Sequence, residues 1–172
     1  VYFDDIRLHQ TAPVSTVSME EIWIEAEDAD TITQPFEIYT DVAKASGGKC
    51  IGTTDDVGNS GSAPPHPDGT ATYNFTVAGG TYRISCRIII PDGDSFWFRL
   101  QGATTQTVNH SSGWIRWSDP PNSDSWYWDD VFSAEDDGET VLFTMDPGTY
   151  TLEVGYREDG ALMDTILISK VE

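Results

Sequence analysis

Positive charge is scarce in this chain. Nine Lys and Arg stand against twenty-nine Asp and Glu, a formal net charge of −20 over 172 residues. A protein that neutralises a phosphate backbone needs many lysines and arginines, so nucleic acid is excluded as a partner. An anionic membrane surface is excluded for the same reason. The acidity reads as a solubilising surface suited to a salty medium, with a field for a specific cationic ligand as the competing reading. Cysteine is also scarce. Cys50 and Cys86 both sit in strand-like runs, and no CxxC or Cys/His zinc spacing occurs. They read as free, buried thiols, and a disulfide stays open because spacing does not decide it. The three histidines, His9, His66 and His110, fall in linker-like or loop-like segments without a triad pattern. No apolar run approaches the ~18 residues of a membrane-spanning helix. No secretory leader pattern is visible. The chain opens directly on VYFDDIRL, which predicts a piece of a longer protein.

What the chain does have is strand periodicity. Aromatics at 12% and apolar residues at 38% are spread along it, which excludes disorder. After VYFDDIRL comes HQTAPVSTVS, polar and rich in Ser and Thr, so residues 1–19 are expected to be the end of a preceding module plus a linker. The domain proper is expected over 20–172. Period-two runs then follow one another: EIWIEAED, KCIGT, TATYNFTV, TYRISCRIII, SFWFRLQG, TVLFTM, TYTLEVGY and LMDTILIS. The turns AGG, PDGD, DPG and EDG separate several of them. No stretch keeps helical periodicity. Many short strands at this spacing predict an all-β domain of two antiparallel sheets, a sandwich or barrel. Two segments, 53–68 and 109–137, read as long loops. The second holds four tryptophans and seven carboxylates, too aromatic a composition for disorder.

The carboxylates pose a physical problem. Glu25 and Glu27 lie two apart in a predicted strand and so share one face. Asp164 is expected on the core face of Leu162, Ile166 and Ile168. Adjacent carboxylates repel, and a buried one without a partner is costly. A calcium ion, which takes six to eight oxygens, answers both, with carbonyls from the SGGK turn at 46–49. The competing reading leaves both glutamates facing solvent and Asp164 capping a turn.

The motifs IEAEDA, SGGKCIG, AGGTYRISCRI, DPGTYTLEVGYRE and MDTILI occur in that order over residues 24–168. In this order and spacing the chain resembles carbohydrate-binding modules of families six and thirty-five. The resemblance covers roughly residues 21–172. It implies a β-jelly-roll sandwich, a non-catalytic role, and attachment to the catalytic module of a secreted polysaccharide-degrading enzyme. It also implies a structural calcium at Glu25, Glu27 and Asp164. The sequence departs from the family at Cys50, where an aromatic is frequent, and at REDG, which replaces an Asn-containing loop.

Sugars have apolar C–H faces and polar edges, so aromatic rings with charged and amide groups suit them. GWIRWSDPPNSDSWYWDD supplies both, and Trp126 and Trp128 share one side of an extended stretch. The expected ligand residues are Trp114, Trp126, Trp128, Arg157, Glu158 and Asp159, at the loop end of the sandwich. The ligand is expected to be a polysaccharide or oligosaccharide of algal or plant type. Trp23 and Trp117 are expected in the core. Arg157 has a competing role as a loop staple to Asp129 or Glu158. A second surface is expected where Arg83, Arg87, Trp97 and Arg99 share one sheet face. Two alternatives stand beside the binding module. One is a hydrolase or lyase using Asp55, Asp56, Asp129, Asp130, Glu158 or Asp159, among which no spacing selects a pair. The other is a protein-binding adhesion domain.

Overall fold

The computed structural model describes residues 20–54, 56–61, 63–64, 68–105 and 111–171. The 1–19 segment, Asp55 and the three histidines lie outside the described residues. In chain order the strands are β1 (Glu21–Glu25), β2 (Thr31–Ile32), β3 (Glu37–Thr40), β4 (Lys49–Gly52), β5 (Thr70–Val77), β6 (Gly80–Ile90), β7 (Phe96–Gln101) and β8 (Thr104–Thr105). They continue as β9 (Ile115–Trp117), β10 (Ser123–Asp130), β11 (Phe132–Ser133), β12 (Glu139–Thr140), β13 (Leu142–Met145), β14 (Gly148–Tyr156) and β15 (Leu162–Val171). Two short 3-10 turns, Ala26–Asp28 and Ser46–Gly48, flank the loop side of β1 and β4.

The strands form a jelly-roll sandwich. In the larger sheet β15 pairs with β6 on one side and with β1 and β4 on the other. Beyond β6 come β10 and β13, and β3 and β8 lie at the edges. The smaller sheet runs β2-β5-β14-β7-β9. All these pairings are antiparallel. Alternation builds the core between the sheets: Tyr82, Ile84, Cys86, Ile88 and Ile90 of β6 meet Tyr73, Phe75, Phe98, Leu152 and Val154 of the other sheet in one buried cluster. The one polar atom that Tyr73 brings inside is satisfied, since its hydroxyl donates to the Ala26 carbonyl at 2.8 Å. Cys50 and Cys86 are both free and buried. Burial pushes the Cys50 thiol up to about 12, so it stays protonated and inert.

Several expectations change. The 109–137 segment is not one loop: among its described residues it forms β9, β10 and β11. Its Ser, Asp and Pro content hid the alternation of Ile115 and Trp117 inward with Arg116 outward. Trp117 is core as expected, but Trp23 is 58% exposed. Its parity explains this, because Ile22 and Ile24 of β1 pack on the core while Trp23 shares the outer face with Glu21 and Glu25. Glu27 is not in the strand with Glu25, since β1 ends at Glu25 and the chain turns to bury Ala26. Arg83 and Arg87 do not share a face with Trp97 and Arg99. The turn at 91–95 passes from β6 in one sheet to β7 in the other, so the two pairs point away from opposite sides of the sandwich.

The register of β15 against β6 carries a bulge. Met163 faces Ile88 and Thr165 faces Arg87, so Asp164 is the extra residue between them. Asp164 therefore does not share a face with Ile166 and Ile168, which sit in the core, and Leu162 is only half-buried. The bulge sends the Asp164 carboxylate sideways instead of into the apolar interior.

Candidate functional site

Three polar regions emerge from this frame. The first gathers the predicted metal residues. Asp164 is fully buried, and its Oδ1 accepts the Ser46 backbone N–H at 2.8 Å. Its Oδ2 accepts from the Arg87 guanidinium. Glu25 accepts from the Ser46 hydroxyl at 2.7 Å and from the Thr165 hydroxyl at 3.4 Å. Glu27 lies close to both acids. Burial holds its carboxyl above the ordinary range, and Glu25, Asp28 and Asp164 push the same way. Its Oε2 is buried without a hydrogen-bond partner. Gly47, at φ 58°, brings the turn close to Glu27: a side chain there would stand 3.8 Å from Oε1. Three carboxylates against the single Arg87 cation leave a residual charge of −2, which one divalent cation balances. The orphaned Glu27 oxygen and this charge fit calcium. Among the described residues, however, no three His, Cys, Asp or Glu side chains stand gathered in ligating geometry, because Asp164 and Glu25 are engaged elsewhere.

The second region is the outer face of the larger sheet. Register places Trp23, Leu167, Ser85 and Asp130 in one row across β1, β15, β6 and β10. The row beside it reads Glu25, Thr165, Arg87 and Trp128. A groove of about 610 Å³ opens here beside the packed pair Trp23 and Trp128, with Arg83, Ser85, Asp129, Asp130 and Leu167 also among its lining. The two indoles meet at 90° with centroids 5.6 Å apart, and Trp128 is 44% exposed. The Asp130 carboxylate is fixed, accepting the Ser85 hydroxyl at 2.5 Å and pairing with Arg83 at 3.4 Å. Burial holds the Asp129 carboxyl above its ordinary range, and the neighbouring Asp130 charge adds to that. Trp126 lies on the same strand, stacked on Arg87 at 5.3 Å, with its indole N–H on the Ala43 carbonyl at 3.1 Å.

The third region is the loop end, where the ligand was expected. Arg157 is spent internally: its Nη1 donates to the Ser95 hydroxyl at 2.7 Å and pairs with Glu158 at 2.8 Å. The staple to Glu158 is thus the arrangement formed. Glu158 also accepts from the Ser95 hydroxyl, and Asp159 accepts the Gly58 N–H at 3.0 Å. These contacts tie the 56–61 segment down, and its Ser60 hydroxyl accepts from the Trp97 indole at 3.0 Å, so Trp97 is fully buried although its strand parity is outward. Trp114 is a further correction. It is 2% exposed beneath the Arg99 guanidinium, 4.5 Å above its ring, and has no face to offer a ligand. Trp128 and Arg157–Asp159 therefore line different hollows, and sequence reasoning missed Trp23, whose parity with Glu21 and Glu25 was the available signal.

The chain matches no family model and no curated protein. Solved structures share its fold. It superposes on the C-terminal CBM6 of LamC, a marine laminarinase from Zobellia galactanivorans, with a TM-score of 0.53 and 18% identity, over 88% of this chain and 100% of that one. CBM6cm-2 from Cellvibrio mixtus lichenase 5A, solved with cellotriose, gives 0.54 and 18% over 88% and 98%. A Podospora anserina GH26-CBM35 β-(1,4)-mannanase gives 0.57 and 17% over 88% of this chain, which spans only 28% of that enzyme. At these identities the likeness establishes the jelly-roll sandwich.

One prediction concerns the loop end. Asp94 is 7% exposed and lies beside Asp56, Asp92 and Asp159. Burial, followed by the charges of Glu158, Asp159 and Asp92, pushes its carboxyl up to about 6. A raised folded-state value means that the protonated form is favoured by folding, so this contribution is present at low pH and lost as pH rises through about 6. Asp94→Asn is expected to stabilise the domain by ~1–2 kcal/mol at neutral pH and by little below about pH 4, under the ordinary carboxyl value of 3.8, measured by urea unfolding across pH. An equal effect at both ends of that range contradicts the assignment.

Proposed function

We propose that this domain is a non-catalytic carbohydrate-binding module and that it holds its glycan on the outer face of the larger sheet. The observation that carries the reading is the pair of exposed tryptophans set at right angles over a groove with a polar floor. An indole face covers the C–H face of a sugar, and fixed acceptors and donors beside it take the hydroxyls. Asp130 supplies a carboxylate already oriented by Ser85 and Arg83, so little order is lost on binding. Glu158 and Asp159 are likewise held by loop contacts. The neighbours with this fold support the reading, two of them being modules and one a mannanase that carries such a module. We extend it to attachment to a secreted polysaccharide-degrading enzyme, which the domain would bring to its substrate.

We also propose a structural calcium at Glu25, Glu27 and Asp164, near the Ser46–Gly48 turn. When bound, the ion supplies the positive charge that Arg87 alone does not. Ser46 and Gly47 hold the turn against the carboxylates, and Arg87 neutralises one of them.

Two outcomes are expected. In titration calorimetry against a panel of soluble oligosaccharides, Trp128→Ala and Trp23→Ala each weaken binding by ~1–3 kcal/mol. Arg157→Lys leaves the affinity within about twofold, because that guanidinium serves the loops. The reverse ranking moves the site to the loop end. Independently, removing calcium with a chelator lowers the melting temperature by several degrees, since an ion at a hundredfold its Kd adds about 2.7 kcal/mol. An unchanged melting curve removes the calcium proposal and leaves the glycan site untouched.

A further inference from the structure

The cation proposed at Glu25, Glu27 and Asp164 has a rival inside the protein. Asp164 is fully buried, and each of its oxygens already carries a donor: Oδ1 the Ser46 N–H at 2.8 Å, and Oδ2 the Arg87 guanidinium. Arg87 is not buried with it. Its side chain is 24% exposed. Its other arm reaches away, with Nη2 on the Lys44 carbonyl at 2.9 Å and the guanidinium carbon 5.3 Å from the centre of the Trp126 ring. Trp126 in turn donates its indole N–H to the Ala43 carbonyl at 3.1 Å. Arg87 therefore joins the buried carboxylate to the 43–46 segment and to β10.

We propose that Arg87 competes with the divalent cation for Asp164. It thereby sets how tightly the site holds its ion, and Trp126 and the 43–46 segment respond to the exchange. This rests on the calcium reading above and adds to it a residue that fixes the affinity.

The chemistry of the contacts carries the inference. Calcium draws its shell from oxygens, carboxylates foremost. Asp164 gives Oδ2 to the ion only by turning it from the guanidinium, because two cations at one carboxylate oxygen repel each other at contact distance. The other acid contacts raise no such conflict, since Glu25 accepts from the Ser46 and Thr165 hydroxyls, which carry no charge. A displaced Arg87 also has a place to go. Its exposed side meets water, while the Lys44 carbonyl and the Trp126 face keep it near. Losing the Asp164 contact changes its stack on Trp126, so the indole reports the exchange.

The test is calcium titration calorimetry on the intact chain after treatment with a chelator. It compares the parent with Arg87→Gln and with Lys44→Gln, which removes an equal charge from the 43–46 segment and leaves the Asp164 contact alone. Arg87→Gln is expected to bind calcium about tenfold more tightly, because no charge-assisted pair has to be broken first. Its melting temperature also rises more on adding calcium than the parent's does, because Asp164 is then a buried charge without its cation. Lys44→Gln stays within about twofold of the parent. Equal or weaker calcium binding by Arg87→Gln overturns the competition and leaves the calcium reading standing, with Arg87 holding Asp164 in place for the ion. Tightening by Lys44→Gln to the same extent overturns it in favour of overall charge. Absence of calcium binding by all three overturns both readings. Should Arg87→Gln not fold, the labelled parent decides: the indole N–H signal of Trp126 moves as calcium fills the site, and an unmoved signal overturns the proposal.

Discussion

The pairing of β15 with β6 sets what every other part of the larger sheet can do, and its one-residue bulge at Asp164 is the constraint on which that pairing turns. On the N-terminal side of the bulge Met163 faces inward beside Ile88. On the other side Ile166 and Ile168 face inward beside Cys86 and Ile84. An unbroken alternation cannot place Met163, Ile166 and Ile168 all in the core, since the first differs in parity from the other two. The extra residue resolves the conflict. It also turns the Asp164 carboxylate, still fully buried, away from the apolar core and toward Arg87 and the Ser46 turn.

Everything outside the core on this sheet follows from the same register. Thr165, Leu167 and Ser169 face outward beside Arg87, Ser85 and Arg83. Strand β1 then adds Trp23 and β10 adds Trp128 to the same surface. The groove is thus assembled from four strands of the larger sheet together with the β11–β12 hairpin, whose Phe132, Gly138 and Thr140 complete its lining. At the loop end the polar groups have another use. Arg157, Glu158 and Asp159 hold neighbouring segments in place and cover Trp97. A crowded acidic environment around Asp94 is the electrostatic cost of that closure.

Much of this was legible from the residues. The alternating runs of β5, β6, β7 and β14, the turns between several of them and the inward sets of aromatics and aliphatics all stand where periodicity places them. Trp117 in the core and two free, buried cysteines were legible too. What failed has specific causes. Adjacent strands β6 and β7 belong to different sheets, and no local pattern tells a sheet-crossing turn from a hairpin, so the arginines were assigned to one face. The bulge is a tertiary compromise that single-strand parity does not show. Trp97 and Trp114 have outward parity but are covered from outside, one by a loop and the other by Arg99. Trp23 is the instructive error: its size suggested the core, while its alternation with Ile22 and Ile24 already pointed outward.

In the proposed binding mode, ligand recognition belongs to the outer face of the larger sheet and not to the loop end. The most direct measurement is a two-dimensional nitrogen–proton spectrum of the labelled domain during titration with a bound oligosaccharide. The indole N–H signals of Trp23 and Trp128 should move with the ligand, while those of Trp97, Trp114 and Trp117 and the backbone signals of 157–160 stay in place. Shifts concentrated at 157–160 and Trp97, with Trp23 and Trp128 unmoved, would contradict the account.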